Sequence, residues 1–252
     1  MPIKLIATDL DGTLLRRDKT ISPYTVQVLE QCQARGIQLV VATARPCHNA
    51  LELTEGIAFD GIIATNGAFV YAGETLLREH TMPVEISRAL LLALGNHPDV
   101  LSISARKRDS CYKTHPIHPT DILYDFTQPL NDTVAHMAFR MEDAAFAESL
   151  ISAYPQLEIH RVTGEHLYDI GPQGCTKAAG ISVLAEHWGI SPADITAFGD
   201  DHNDIDMLRF AGTGVAMANA VDEAKAAADC ICASNEDDGL ARWLEEHICP
   251  SK

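Results

Sequence analysis

The chain of 252 residues reads as an α/β protein: a core built on a parallel sheet, with a separate α+β unit inserted into it. Three observations carry this expectation. Short apolar runs alternate with helical stretches three times in roughly the first sixty residues, the rhythm of parallel strands joined by right-handed crossovers. Between residues 82 and 173 that rhythm gives way to helices grouped with antiparallel-type strands. From Gly174 the alternation resumes and runs to the end. The core is therefore expected over 1–81 and 174–252, and the inserted unit over 82–173.

The elements follow in order. Ile3 to Thr8 is a short, mostly apolar run, the pattern of a fully buried strand. It runs into Asp9-Leu10-Asp11-Gly12-Thr13, where Gly12 lets the backbone turn tightly. Ser22-Pro23 starts a helix, Ser as N-cap and Pro in the first turn, and Tyr24–Ala34 continues it to a stop at Gly36. Ile37–Ala42 is a second strand, ending at Thr43-Ala44-Arg45-Pro46. A short helix near Cys47–Thr54 precedes a third strand, Gly61–Ala64, which ends at Thr65-Asn66-Gly67. Each strand thus delivers polar residues just past its carboxyl end, the edge on which open α/β sheets bind ligands.

The pattern changes past Phe69–Tyr71. Met82-Pro83 opens a helix to about Leu94. Val100–Ala105 and Val134–Arg140 are strands, Arg106–Asp109 a charged turn, and Cys111–Pro129 a loop. Glu142–Tyr154 is a helix, and Leu157–Val162 pairs antiparallel with His166–Ile170. In the last third, helices at Thr176–Gly189, Asn203–Phe210, Val221–Ala228 and Gly239–Ile248 alternate with strands at Ile195–Phe198, Gly214–Met217 and Asp229–Cys232.

Lys and Arg number 19 against 35 Asp and Glu, a formal net charge of −16. Such a chain repels nucleic acid and anionic membrane in bulk, so any anion it binds needs a local positive site, whereas metal cations are welcome. The 46% hydrophobic fraction supports a buried core and excludes a disordered chain. Cysteines at 32, 47, 111, 175, 230, 232 and 249 are odd in number and never spaced Cys-x-x-Cys. That argues against a disulfide framework and a zinc ribbon, and fits a reducing cytosol. No charged-then-apolar leader and no membrane-length apolar run is present. A soluble cytoplasmic protein is expected, with neither nucleic acid nor membrane as partner.

Asp9 and Asp11 at the end of a buried strand are costly unless something positive sits beside them. Mg²⁺ suits that place, since it takes oxygen ligands and binds one or two carboxylates plus substrate phosphate. An ordinary Asp-Gly turn is the bland alternative. A second acidic cluster, Gly199-Asp200-Asp201-His202-Asn203-Asp204, follows another short apolar run. Taken alone it is equally a polar loop capping the next helix. One site fed by two strand ends explains both clusters at once.

Together these stretches resemble the haloacid dehalogenase superfamily of phosphatases, in its Cof-type branch with the class IIB cap between the second and third motifs. Asp9-Leu10-Asp11-Gly12-Thr13-Leu14 is similar to the first motif, Thr43 with Arg45 to the second, Lys177 to the third, and Gly199-Asp200 through Asn203-Asp204 to the fourth. Ala211–Ala220 and Asn235–Gly239 are similar to that branch as well. The likeness covers nearly all of 1–81 and 174–252; residues 82–173 share only length and general character. It implies a Rossmann-like parallel-sheet core with an inserted α+β cap. It also implies Asp9 as the nucleophile that becomes an aspartyl phosphate, and Asp11 as the acid and base. Mg²⁺ would be held by the Asp9 carboxylate, the Asp11 main-chain carbonyl and Asp200, with Asn203 and Asp204 in support. Thr43 and Lys177 would bind the transferring phosphoryl group, and Arg45, Asn66 and Gly67 would face the phosphate or leaving group.

Outside that frame, Lys177 reads as a solvated helix lysine, Thr43 as bonding its own turn, and Arg45 equally as a surface residue or a substrate contact. Gly212-x-Gly214 precedes its strand and is a turn rather than a dinucleotide fingerprint. Arg106, Lys107 and Arg108 read as a solvated turn before an anion site. His115 and His118 lack nearby Cys or carboxylate partners for zinc. The inserted unit is where substrate choice is expected, as a lid reading the leaving group. The expected activity is Mg²⁺-dependent hydrolysis of a small phosphorylated metabolite, a sugar phosphate or a phosphorylated cofactor such as pyridoxal phosphate, and a homo-oligomer is compatible with it. A phosphosugar mutase on the same scaffold, or a non-catalytic phospho-aspartate receiver, are the alternatives. Dehalogenation is disfavoured, since dehalogenases of the superfamily lack an acid/base aspartate at the position of Asp11.

Overall fold

A computed structural model describes residues 3–162 and 166–248. The first part of the chain forms β1 (Leu5–Thr8), α1 (Pro23–Ala34), β2 (Gln38–Ala42), α2 (Cys47–Leu53), β3 (Gly61–Ala64), β4 (Phe69–Ala72) and β5 (Thr75–Glu79). The middle forms α3 (Val84–Gly95), β6 (Val100–Arg106), β7 (Cys111–Lys113), β8 (Asp121–Leu123), β9 (His136–Met141), α4 (Ala144–Ala153), β10 (Leu157–Val162) and β11 (Leu167–Pro172). The last part forms α5 (Lys177–Trp188), β12 (Ile195–Gly199), α6 (Ile205–Phe210), β13 (Thr213–Ala216), α7 (Asp222–Ala227), β14 (Cys230–Ile231) and α8 (Gly239–His247). Two compact units result, one from the segments up to Glu79 and from Thr176 onward, the other from His80–Cys175.

In the first unit eight strands lie in the order β14-β13-β12-β1-β2-β3-β4-β5. The six from β14 to β3 are parallel, as the strand–helix rhythm requires. β1 is central, hydrogen-bonded to β2 on one side and β12 on the other, which is why Leu5, Ile6 and Ala7 are apolar on both faces and fully buried. Ile181, Leu184 and Ala185 of α5 pack on Leu5, Ala7, Val40 and Ile63 of the sheet. Ser22 caps α1 by accepting the Thr25 N–H, with Pro23 in the first turn. The hairpin β4–β5, antiparallel to β3 at one edge, is not among the elements the sequence pattern announced.

The second unit holds a six-stranded sheet, β10-β11-β9-β6-β7-β8, antiparallel except for the β7–β8 pair. Leu90, Leu91 and Leu94 of α3 share one core with Met137, Phe139 and Tyr168 of the sheet. The segment Cys111–Pro129, expected as a loop, contains β7 and β8. Three-residue strands are too short to show periodicity; β7 pairs with β6 across a turn, and β8 pairs with β7.

The expected solvated turn at Arg106–Arg108 is also corrected. Arg106 lies inside β6, and its guanidinium meets the Asp169 carboxylate of β11 at 3.1 Å, beside a buried His136 whose Nδ1 is 3.5 Å from Asp169. Lys107 pairs with Asp132, and Arg108 meets Asp109 at 3.1 Å. Each of the three cations is thus matched by a carboxylate. His118 Nδ1 lies 2.8 Å from the Thr120 hydroxyl, and neither His115 nor His118 joins a metal-type cluster among the described residues. Six cysteines are free thiols, and Cys249 lies outside the described residues. No described helix is long and apolar enough to cross a membrane.

Candidate active site

The strand order reverses between β1 and β12, and open α/β sheets carry their ligand crevice at such a reversal. Asp9 follows β1 and Asp200 follows β12, so the two acidic clusters flank it from either side. Thr43 and Arg45 follow β2, and Asn66 and Gly67 follow β3, on the same edge. Gly67 has φ +98°, and a Cβ there would lie 2.2 Å from the Thr176 carbonyl oxygen. Its bare backbone therefore lets the end of β3 press against the start of α5, whose first residue is Lys177.

Lys177 is no surface lysine. Its side chain is 0% exposed, and Nζ donates to Asp9 Oδ1 and Asp204 Oδ1, each at 2.6 Å. Asp204 Oδ2 accepts the N–H groups of Asp200 at 2.9 Å and Asp201 at 3.0 Å, so both Asp204 oxygens are engaged in holding the site together. Thr13 Oγ1 donates to Asp200 Oδ1 at 2.7 Å and so fixes that carboxylate. Gly12, at φ +83°, passes so close that a Cβ would sit 2.2 Å from Asp200 Oδ2.

The electrostatics call for a cation. Carboxylate oxygens of Asp9, Asp200 and Asp204 lie within 4.8 Å of one another, with one lysine among them. Burial, opposed by Lys177 and reinforced by Asp204, pushes Asp9 up to about 8 from 3.8. Burial, opposed by the Thr13 bond and reinforced by Asp204, pushes Asp200 up to about 7. Lys177 is displaced upward despite its burial, because Asp204 and Asp9 hold its charge. Hard oxygen donors in a half-neutralised buried group fit Mg²⁺. Asp9, Asp200 and Asp204 form the group that could hold it.

Asp11 is turned to a different task. Its carboxylate takes Arg45 Nε on Oδ2 at 2.5 Å, Arg45 Nη2 on Oδ1 at 2.7 Å, and Lys19 Nζ on Oδ1 at 2.7 Å. Burial would raise Asp11, but those bonds overcome it and hold the group down at about 2. Arg45 also donates through Nη1 to Asn49 Oδ1 at 2.5 Å. Thr43 is buried, and its Oγ1 accepts the Arg45 N–H at 3.1 Å, a bond within its own turn. Asn203 Nδ2 donates to Asn66 Oδ1 at 3.2 Å, which ties the Asp200 loop to the end of β3.

The residue pattern therefore located Asp9, Lys177, Asp200 and Asp204, which the fold brings together. It missed Thr13 as the support of Asp200, and Lys19 as a partner of Asp11. It also missed Asn219, whose Nδ2 donates to the Gly12 carbonyl at 2.8 Å and whose Oδ1 accepts the Asn235 N–H at 3.1 Å. Thr13 stands in the first motif with nothing local to mark its distant partner, and Lys19 sits in a polar stretch with no periodicity to single it out.

A buried carboxylate, a buried lysine and a cluster of carboxylates that could hold a cation, at a sheet switch point, are the groups phosphoryl transfer calls for. A model of the haloacid dehalogenase-like hydrolases matches residues 6–244, and the chain belongs to that family, in its Cof-type branch. It is a phosphoric monoester hydrolase that works through an aspartyl phosphate. Over 268 residues it is 32% identical to the 5-amino-6-(5-phospho-D-ribitylamino)uracil phosphatase YitU of Bacillus subtilis, covering 97% of each chain. It is 29% identical to the pyridoxal phosphate phosphatase YbhA of Escherichia coli, over 98% of this chain and 100% of that one. It also superposes on a solved subclass IIB sugar phosphatase with a TM-score of 0.83 at 28% identity, covering 96% and 98% of the two chains.

Proposed function

We propose that this hydrolase releases phosphate from small phosphorylated metabolites, sugar phosphates or phosphorylated cofactors, with residues 82–173 selecting among leaving groups. The observation that carries the reading is Lys177 buried between Asp9 and Asp204 at 2.6 Å, beside Asp200. Three similar phosphatases act on a ribitylaminouracil phosphate, a pyridoxal phosphate and a sugar phosphate, which supports the breadth of the class.

In the first step an Asp9 oxygen attacks phosphorus while the bond to the leaving oxygen breaks, and Asp11, which must first turn from Arg45 and Lys19 and take up a proton, gives that proton to the leaving oxygen. In the second, Asp11 takes a proton from water as it attacks phosphorus, and the Asp9–phosphorus bond breaks to release phosphate. Lys177 and the Thr43 hydroxyl hydrogen-bond the transferring oxygens and stabilise the charge that develops on them. The Asp9 carboxylate, the Asp11 carbonyl and Asp200 would hold Mg²⁺, with Asn203 and Asp204 in support; when bound, the ion offsets the repulsion between a carboxylate and a phosphate dianion. Arg45, Asn66 and Gly67, on the same sheet edge, would face the phosphate or the leaving group.

The test is phosphate release from a panel of phosphorylated sugars and cofactors, with and without Mg²⁺. Turnover of one or more members that needs Mg²⁺ and disappears in Asp9→Asn is expected. Mg²⁺-independent release, or release that survives Asp9→Asn, refutes the assignment.

A further inference from the structure

The acid and base of the reaction is held in a way its task does not require. Both oxygens of Asp11 are occupied by three charged donors, two from Arg45 and one from Lys19, at 2.5 to 2.7 Å. A carboxylate that serves the leaving oxygen in one step and water in the next has to turn at least one oxygen towards the substrate. When it does so, two cations lose their counter-charge. Their place remains open to a ligand, since the side chains of Lys19 and Arg45 are 48% and 28% exposed.

Lys19 is brought there at a conformational cost. It has φ +67°, a left-handed conformation that costs a non-glycine residue free energy. The turn is fixed on all sides: Asp18 Oδ1 accepts the Thr20 N–H at 3.0 Å and its hydroxyl at 2.6 Å, and the Lys19 N–H donates to the Arg16 carbonyl at 2.9 Å. Arg16 is itself clamped by Asp238 at 2.9 Å. The turn thus aims one ammonium group at the point where the Arg45 fork already sits. Two convergent cations are a recognition feature for an oxyanion, and the guanidinium fork matches a carboxylate or phosphate in geometry.

We propose that Lys19 and Arg45 form an anion subsite for a second acidic group on the leaving-group side of the substrate, and that Asp11 occupies this subsite until the substrate takes its place. The preferred substrates are then phosphomonoesters whose leaving group itself carries a carboxylate or a second phosphate. Substrate binding would displace Asp11 from the cations and turn it to its work, so recognition and activation become one event. The proposal rests on the phosphatase reading of the same site and narrows its substrate class.

The experiment compares matched pairs on the full chain with Mg²⁺: 3-phosphoglycerate against glycerol 3-phosphate for a carboxylate, and fructose 1,6-bisphosphate against fructose 6-phosphate for a second phosphate. The readout is the ratio of kcat/KM within each pair. A ratio of about tenfold or more in at least one pair is expected, the scale of a charged hydrogen bond. It should fall towards one in Lys19→Ala, mainly through KM, and recover in Lys19→Arg. Ratios near one in both pairs, or a high ratio that persists in Lys19→Ala, overturn the proposal. Hydrolysis of p-nitrophenyl phosphate, run alongside, reports on the phosphatase reading separately. Should turnover fail, calorimetric binding of the same pairs to Asp9→Asn with and without Lys19→Ala gives the same ratio and decides the question.

Discussion

Stripping the divalent cation from this protein and returning it at different pH values tests the electrostatics of the site directly. In the cation-free protein Asp9 is raised from 3.8 to about 8 and Asp200 to about 7. The folded state then holds protons that the unfolded chain has already lost. The stabilising contribution of these groups is full below pH 3.8 and is lost as pH rises through 7 and 8. Mg²⁺ must displace those protons. At pH 7 the two groups together hold about one and a half of them, and at pH 9 almost none. Titration calorimetry of MgCl₂ in buffers of different ionisation enthalpy counts the protons released. The count should fall from about one and a half to near zero between those pH values, while affinity rises steeply up to about pH 8 and then levels. Asp9→Asn should remove about one proton from the count at pH 7. Proton release near zero at pH 7, with an affinity independent of pH, would refute the placement of these carboxylates around one cation.

Further outcomes follow from individual contacts. Lys177→Met leaves Asp9 and Asp204 buried without their counter-charge and should cost about 3–5 kcal/mol in the absence of Mg²⁺, read from urea denaturation, together with loss of phosphatase activity. Gly12→Ala puts a methyl 2.2 Å from Asp200 Oδ2 at a φ of +83°, so Mg²⁺ affinity should drop by about tenfold or more in the same calorimetry. In the second unit, burial would raise Asp169, but Arg106 and then His136 hold it well below the ordinary carboxylate range. Its stabilisation is present above the unfolded-state value of 3.8 and is lost as pH falls below it. Asp169→Asn should therefore cost about 3 kcal/mol at pH 7 and flatten the loss of stability below about pH 4, followed by circular dichroism.

Much of the fold was legible because its signals are local. The run Leu5–Thr8 is apolar on both faces because β1 is buried on both, and Ser22-Pro23 marks the start of α1 by cap chemistry alone. The β4–β5 hairpin and the three-residue strands β7 and β8 were not legible. β5 is an edge strand of half-exposed residues, and β7 and β8 exist through pairing, β7 with β6 and β8 with β7, rather than through any pattern of their own. Arg106 illustrates the same limit: a run of three basic residues looks solvated until the carboxylate of Asp169 arrives from a strand more than sixty positions away.

The sequence by itself determined the chemistry available at the sheet edge: two acidic clusters after two buried strands, a hydroxyl after a third, and a lysine at the start of a helix. Their types and spacing name the kind of reaction because hard oxygen donors and a carboxylate nucleophile suit few others. Only the tertiary structure decided how those groups divide the work. Lys177 is sealed between Asp9 and Asp204, Thr13 rather than a neighbour of Asp200 holds that carboxylate, and Asp11 faces Lys19 and Arg45. Charge interactions inside a protein depend on distances of a few ångströms and on the loss of water around each group. Neither quantity exists until segments almost two hundred residues apart have been folded against one another.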